Sequence, residues 1–238
     1  MNEAREEFWA GYYRELSQHS EPWLDYSNER VQAQTFGVVL AALGPVVGRR
    51  ALDVGCGYGQ LGRALEAIGA QQVTGIDVTA EFVERLQKEH PSIRWQVGSL
   101  DELGERLGPF DLITLVEVLQ YIPVAATLRR AWRLLAPGGR VVAVVPNREC
   151  PIVARAMARF PGKYLPPNAA ELAEVAEQLE HCSGWGLQGM LFAEEQALAP
   201  YAVSAWTRSA KFSFPDPLPS QPNRLVFAAA KAPGPGAG

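Results

Sequence analysis

The stretch Ala51-Leu-Asp-Val-Gly55-Cys-Gly57-Tyr-Gly59-Gln-Leu-Gly62 constrains the fold more than any other part of the chain. Its first half is a short apolar run behind Arg49 and Arg50, the pattern of a buried strand. Its second half leads into Leu61, Ala64, Leu65 and Ile68, which recur at helical intervals. Between the two stand Gly55, Gly57 and Gly59. A strand that turns into a helix over alternating glycines lays bare backbone beside the carboxyl edge of a sheet, where open α/β sheets bind ligands. A Cβ there would obstruct either the turn or the ligand.

Two registers compete for this loop. Gly57-x-Gly59-x-x-Gly62 fits a dinucleotide-binding pattern, which is weak when it stands alone. Asp53-x-Gly55-x-Gly57-x-Gly59 instead places an acid in the strand before the first glycine. A pyrophosphate has no use for that acid. A cationic amino-acid group does, because a carboxylate holds an ammonium or the loop amides. The second register resembles the first motif of the class I S-adenosylmethionine-dependent methyltransferases.

Three further segments, in order, extend the resemblance over residues 48–146. Gln72-Val-Thr-Gly-Ile-Asp77 reads as a second strand ending in an acid, twenty residues after Gly57. In a βαβ unit that spacing presents a carboxylate to both hydroxyls of a ribose, whether the nucleoside belongs to NAD or to S-adenosylmethionine. Phe110-Asp-Leu-Ile-Thr-Leu-Val-Glu117-Val-Leu-Gln120-Tyr121-Ile-Pro123 reads as a fourth strand, a turn and the start of a helix. In the resembling family the backbone after this strand faces the methionine half of the cofactor. Leu134-Leu-Ala-Pro-Gly-Gly-Arg140 and the apolar run after it read as a helix end, a turn and a buried fifth strand.

The resemblance implies a Rossmann-like, doubly wound α/β fold. Its mostly parallel seven-stranded sheet would carry an N-terminal helical addition and an insertion after strand five, with the last strand antiparallel between its neighbours. It implies S-adenosylmethionine as cofactor, held by Asp53, Gly55, Cys56, Gly57, Glu117 and Gly59 of the motifs, with Asp77 and Val78 toward the ribose. Ser99 and Leu100 follow the third strand, at the edge that reads adenine. Many relatives carry an acid there, so Ser99 and the nearby Asp101 are alternatives. Where some relatives place metal-binding side chains, this chain has Gln120 and Tyr121, poor ligands for a hard cation. No metal site is expected.

The expected domain plan is a helical lid over residues 1–45, a methyltransferase domain over 46–231 with substrate-side helices and an insertion at 150–210, and a disordered Pro/Gly tail at 232–238. Residues 3–17 read as an amphipathic helix crowded with Phe8, Trp9, Tyr12 and Tyr13. These aromatics either cover the sheet or wall a ligand pocket. Residues 168–182 read as a helix, and so do residues 192–208.

The implied reaction is in-line methyl transfer to a small, partly apolar organic acceptor, with oxygen preferred over nitrogen or carbon. Candidates for orienting or activating the acceptor are His19, Tyr13 and Tyr121. His19 is the histidine in the expected lid; His90 and His181 read as surface residues. An NAD-dependent oxidoreductase and a non-catalytic S-adenosylmethionine-binding protein are the alternatives.

Composition excludes other classes. A net charge of −4 over 238 residues argues against a general nucleic-acid binder. No uncharged apolar run approaches membrane-spanning length. Three scattered cysteines without a Cys-x-x-Cys pair suit reduced thiols in the cytoplasm. Monomer and homodimer remain equally open.

Overall fold

The computed structural model describes residues 3–17, 29–190, 204–207 and 222–234. Two helices come first, α1 (Glu3–Ser17) and α2 (Glu29–Leu43). The alternating core follows as β1 (Arg50–Val54), α3 (Gln60–Ala67), β2 (Gln72–Asp77), α4 (Ala80–Glu89) and β3 (Arg94–Val97). Then come a one-turn helix α5 (Leu100–Leu103), β4 (Phe110–Val116), α6 (Val124–Leu134) and β5 (Leu135–Pro146). Two helices, α7 (Pro151–Arg159) and α8 (Ala169–Glu177), precede β6 (Cys182–Met190), β7 (Ser204–Thr207) and β8 (Arg224–Lys231).

The strands form one sheet in the order β3-β2-β1-β4-β5-β8-β6-β7. β1 to β5 are parallel, and β8 runs antiparallel to both β5 and β6. The expected antiparallel last strand between its neighbours is therefore present. Parallel strands need both faces covered. Accordingly, one apolar cluster built on Leu52, Ile113, Leu128 and Phe227 lies on one face, and one built on Leu43, Leu65, Val83 and Val142 lies on the other. The order reverses between β1 and β4. Such a switch point opens a crevice at the carboxyl ends of the strands.

Some boundaries differ from the sequence reading. Among the described residues the sheet has eight strands, one more than expected, because Ser204–Thr207, expected inside a helix, pairs with Gly186–Gly189 at the edge. Ala-Trp-Thr suits a pleated edge as well as a helix, and the exposed edge of β6 decides it. The other residues of the expected 192–208 helix lie outside those described. The helix expected over 168–182 ends at Glu177, and His181 takes a left-handed φ of 54° before β6 begins. α8 buries Leu172, Val175 and Ala176 in the sheet's own core and does not face a substrate site. α2 also belongs to the core, through Val39, Ala42 and Leu43. Phe36 of α2 nevertheless reaches the cavity that α1 covers. Ala232, expected in the disordered tail, is tied down: it donates its N–H to His181 and accepts one from Gly138. Residues 235–238 lie outside the described set.

Candidate active site

The glycine loop turns at the switch point with its amides already used. Gly55 and Cys56 both donate their N–H groups to the Ile76 carbonyl, at 2.8 and 3.0 Å, and Gly59 donates to Cys56 at 2.8 Å. Gly57 donates to Asp77 Oδ2 at 2.9 Å, while the other oxygen, Oδ1, accepts the Thr79 N–H at 2.9 Å. A pyrophosphate loop works by offering its amides to the ligand. Here those four N–H groups are turned into the protein, and the acids Asp53 and Asp77 line the cavity beside them. The local charge has the wrong sign for a pyrophosphate and the right sign for a cationic group.

The glycines have different reasons to be glycine. All three have φ between 50° and 72°. A Cβ on Gly55 would lie 2.7 Å from Val118, and one on Gly59 2.7 Å from Leu86. A Cβ on Gly57 would meet nothing within 4 Å. Gly57 is therefore the glycine whose bare face opens on the cavity. Gly59, expected to touch the cofactor, does not line it and packs inward instead.

The cavity has a volume of about 710 Å³ and runs from the loop to the underside of α1. At its far end stand Trp9, Tyr12, Tyr13, Tyr121, Phe160 and Tyr164. α1 is held there from two sides. Trp9 Nε1 donates to the Lys163 carbonyl at 2.9 Å, Lys163 Nζ donates to the Ala4 carbonyl, and Arg14 pairs with Glu81 of α4. Tyr13 and Tyr121 share a hydrogen bond of 2.7 Å between their hydroxyls, so the cover and the core meet inside the cavity. Trp9, Tyr12 and Tyr13 of α1 are walls of the pocket, whereas Phe8 is exposed.

Glu117 follows β4 with a left-handed φ of 55°, a strained state for a residue with a side chain. Its N–H still joins the ladder to Val144. Its carboxylate accepts from Arg224 Nε, in a pair whose side chains are 14% and 13% exposed. Both residues line the cavity. Arg224 escapes sequence reading because 107 positions separate it from Glu117. Among the described residues no three His, Cys, Asp or Glu side chains gather as a metal cluster.

Burial sets the protonation of the site. It pushes the Asp53 carboxyl up to about 7, with the Thr114 hydrogen bond opposing and the charge of Asp77 adding to the rise. Burial also raises Asp77, against the hydrogen bonds from Thr79 and Gly57. It raises the Cys56 thiol and the Tyr13 and Tyr121 phenols, which stay protonated at neutral pH. An acid whose folded pKa exceeds its unfolded value of about 3.9 weakens the fold as pH rises between the two. The ligand-free protein should therefore lose stability from about pH 4 to pH 7 and level off above, by an amount on the order of 2–4 kcal/mol for Asp53. Melting curves at pH 5 and pH 8 check this. Asp53→Asn should flatten the difference, and a wild-type protein more stable at pH 8 would contradict it.

Most residues singled out from sequence meet in this one cavity: Tyr13, Asp53, Gly55, Cys56, Gly57, Asp77, Val78, Ser99, Leu100, Glu117 and Tyr121. Ser99 lines it, but its hydroxyl is engaged in capping α5, accepting the Glu102 N–H while Glu102 accepts the Ser99 N–H. Asp101, the alternative, pairs with Arg130 and does not line the cavity. His19 lies outside the described residues. His90, expected on the surface, is half-buried on the cavity wall beside Arg63.

Residues 51–139 match the family model described as a methyltransferase domain. The ubiquinone biosynthesis O-methyltransferase of Xanthomonas axonopodis pv. citri is 35% identical over 167 residues, 61% of this chain and 69% of that one. The chain belongs to the S-adenosylmethionine-dependent methyltransferases. A protein of the same name from Xanthomonas oryzae pv. oryzae is 37% identical over 160 residues, and the match spans 58% of this chain and 66% of that relative's length. The fold agrees with magnesium protoporphyrin IX methyltransferase from Synechocystis PCC 6803, solved with S-adenosylmethionine bound. The TM-score is 0.59 at 17% identity, over 93% of this chain and 91% of that one. The dinucleotide register is thereby overturned: its amides are spent and Gly62 packs under a tryptophan, as described below. The methyltransferase site fits its cofactor on two counts. Gly57 leaves a cradle that a Cβ would fill. Asp77 presents its carboxylate to the same cavity, with the oxygens held in place by the Gly57 and Thr79 amides.

Proposed function

We propose that the chain methylates a small, partly apolar organic acceptor, on oxygen in preference to nitrogen or carbon. The observation that carries this reading is the continuity of one cavity from Gly57 and Asp77 to the Tyr13–Tyr121 pair. The name of the Xanthomonas relatives, O-methyltransferase, supports oxygen. Asp53, Gly57, Asp77, Val78 and Leu100 would hold S-adenosylmethionine, which supplies a methyl group on a positively charged sulfur.

What the chain contributes is placement. Fixing two reacting groups at contact distance is worth roughly 7–11 kcal/mol. Trp9, Tyr12, Phe160 and Tyr164 offer flat apolar faces that suit a ring and exclude water. Tyr13 and Tyr121 orient the acceptor rather than deprotonate it, because burial keeps both phenols neutral. One hydroxyl donates to the other, and the second keeps a proton for an acceptor oxygen, whose own proton is lost to water as the methyl group arrives.

The test is incubation with S-adenosylmethionine and a panel of small hydroxylated and aminated aromatics, with products weighed by mass spectrometry. Methylated hydroxyls are expected. Tyr121→Phe should slow turnover roughly tenfold, the effect of a hydrogen bond near 1.4 kcal/mol, with cofactor affinity unchanged. Tight cofactor binding with no product from any acceptor would favour a sensor or partner role instead.

A further inference from the structure

We infer that Trp95 is a positioning residue for the cofactor loop, and that Gly59, Gly62 and Gly75 are bare to admit its indole. The inference rests on the cofactor site proposed above. Trp95 lies in β3, outside the cavity, and is 3% exposed. A Cβ built on Gly75, its register partner on β2, would lie 2.4 Å from the six-membered ring. Built on Gly62 or Gly59, it would lie 2.9 Å from Cη2 at the ring's tip. Contacts under 3 Å against a rigid ring cannot be absorbed by a rotamer change. One indole thus crosses β2 and abuts both the end of the glycine loop and the first turn of α3. Glycine inside a strand marks a place where another group must approach closely.

The ring is braced from behind. Its Nε1 donates to the His90 carbonyl at 2.9 Å, at the end of α4. The Trp95 carbonyl accepts from Gln87 Nε2 at 3.0 Å, on the same helix. Trp95 therefore has little freedom, and the loop rests on its tip. Two residues before Gly59, the N–H of Gly57 is aimed at Asp77. The height of Gly59 over the indole sets where Gly57 can sit relative to that carboxylate, and so sets the cradle that receives the cofactor. Half of what reads as a ligand-binding glycine pattern is on this account a socket for a side chain that never meets the ligand.

The experiment is a double-mutant cycle with Gly62→Ala and Trp95→Phe, read by calorimetric titration with S-adenosylhomocysteine and by melting temperature. Wild-type binding is measured first; if the wild type does not bind, the cofactor reading fails and not the socket. Each single variant should weaken binding at least fivefold. The smaller ring leaves room for the alanine Cβ, so the double variant should bind within about threefold of the better single one. Additive losses in the cycle overturn the inference. So does a Trp95→Phe protein that melts lower yet binds like wild type, which is the signature of packing alone. If Trp95→Phe fails to fold, Trp95→Tyr replaces it in the same cycle with the same two outcomes.

Discussion

Replacing Gly57 by leucine leaves a folded protein that no longer binds S-adenosylhomocysteine. The two costs of the substitution are separable. A side chain at φ 50° incurs roughly 1–2 kcal/mol of left-handed strain, and nothing within 4 Å resists the new Cβ. The fold absorbs that. The cavity does not, because leucine occupies the space in front of Asp77. Affinity should fall by roughly 100-fold or more, about 2.7 kcal/mol. The comparison is Gly75→Ala, a smaller change at ordinary φ, whose Cβ would strike the Trp95 ring and which should weaken binding only by about the fivefold expected of the other socket variants. Overpacking there costs roughly 1–3 kcal/mol of stability. Melting curves and titration calorimetry should therefore rank the two variants oppositely. A Gly57→Leu protein that binds within tenfold of wild type would mean the ligand lies elsewhere.

The second large effect belongs to Asp77. Its two oxygens each accept one backbone N–H, from Gly57 and Thr79, and in the proposed site they also receive the ribose. Asp77→Ala removes all of these at once. Losing a charged hydrogen-bond partner weakens binding by roughly 1.5–3 kcal/mol, about 10- to 150-fold. The freed amides also loosen the loop. Asp77→Asn separates the contributions. It keeps one acceptor oxygen but turns an NH2 group toward the amide the other oxygen held, so it should melt below wild type while its affinity falls between the two. Titration of the three proteins checks the order. Equal affinity across them would show that β2 ends away from the ligand.

The core of the fold was legible because its signals are local. β1, the turn and α3 are adjacent, and so are Asp77 and the end of β2, and these elements lie where the sequence places them. The reading failed where contacts are distant. Nothing near Glu117 announces Arg224, and nothing near Gly62 announces Trp95, since each pair is joined only by folding. Ser204–Thr207 became a strand because β6 offered an edge, which no local propensity records. Glycine spacing, the strongest signal, named the right place for a partly wrong reason. Gly57 faces the cavity, whereas Gly55 yields to Val118 and Gly59 to Leu86 and Trp95.

The position of β8 has a consequence for how the protein is made. Among the described strands β8 comes last in sequence, and it pairs with β5 on one side and β6 on the other. Until it emerges from the ribosome, two inner edges of the sheet carry unmatched backbone groups, the kind that recruit foreign strands. Arg224 opens that strand and carries the guanidinium that meets Glu117. Closing the gap and setting the charge at the cavity floor are thus one event, and a nascent chain acquires a finished pocket only when its sheet is sealed.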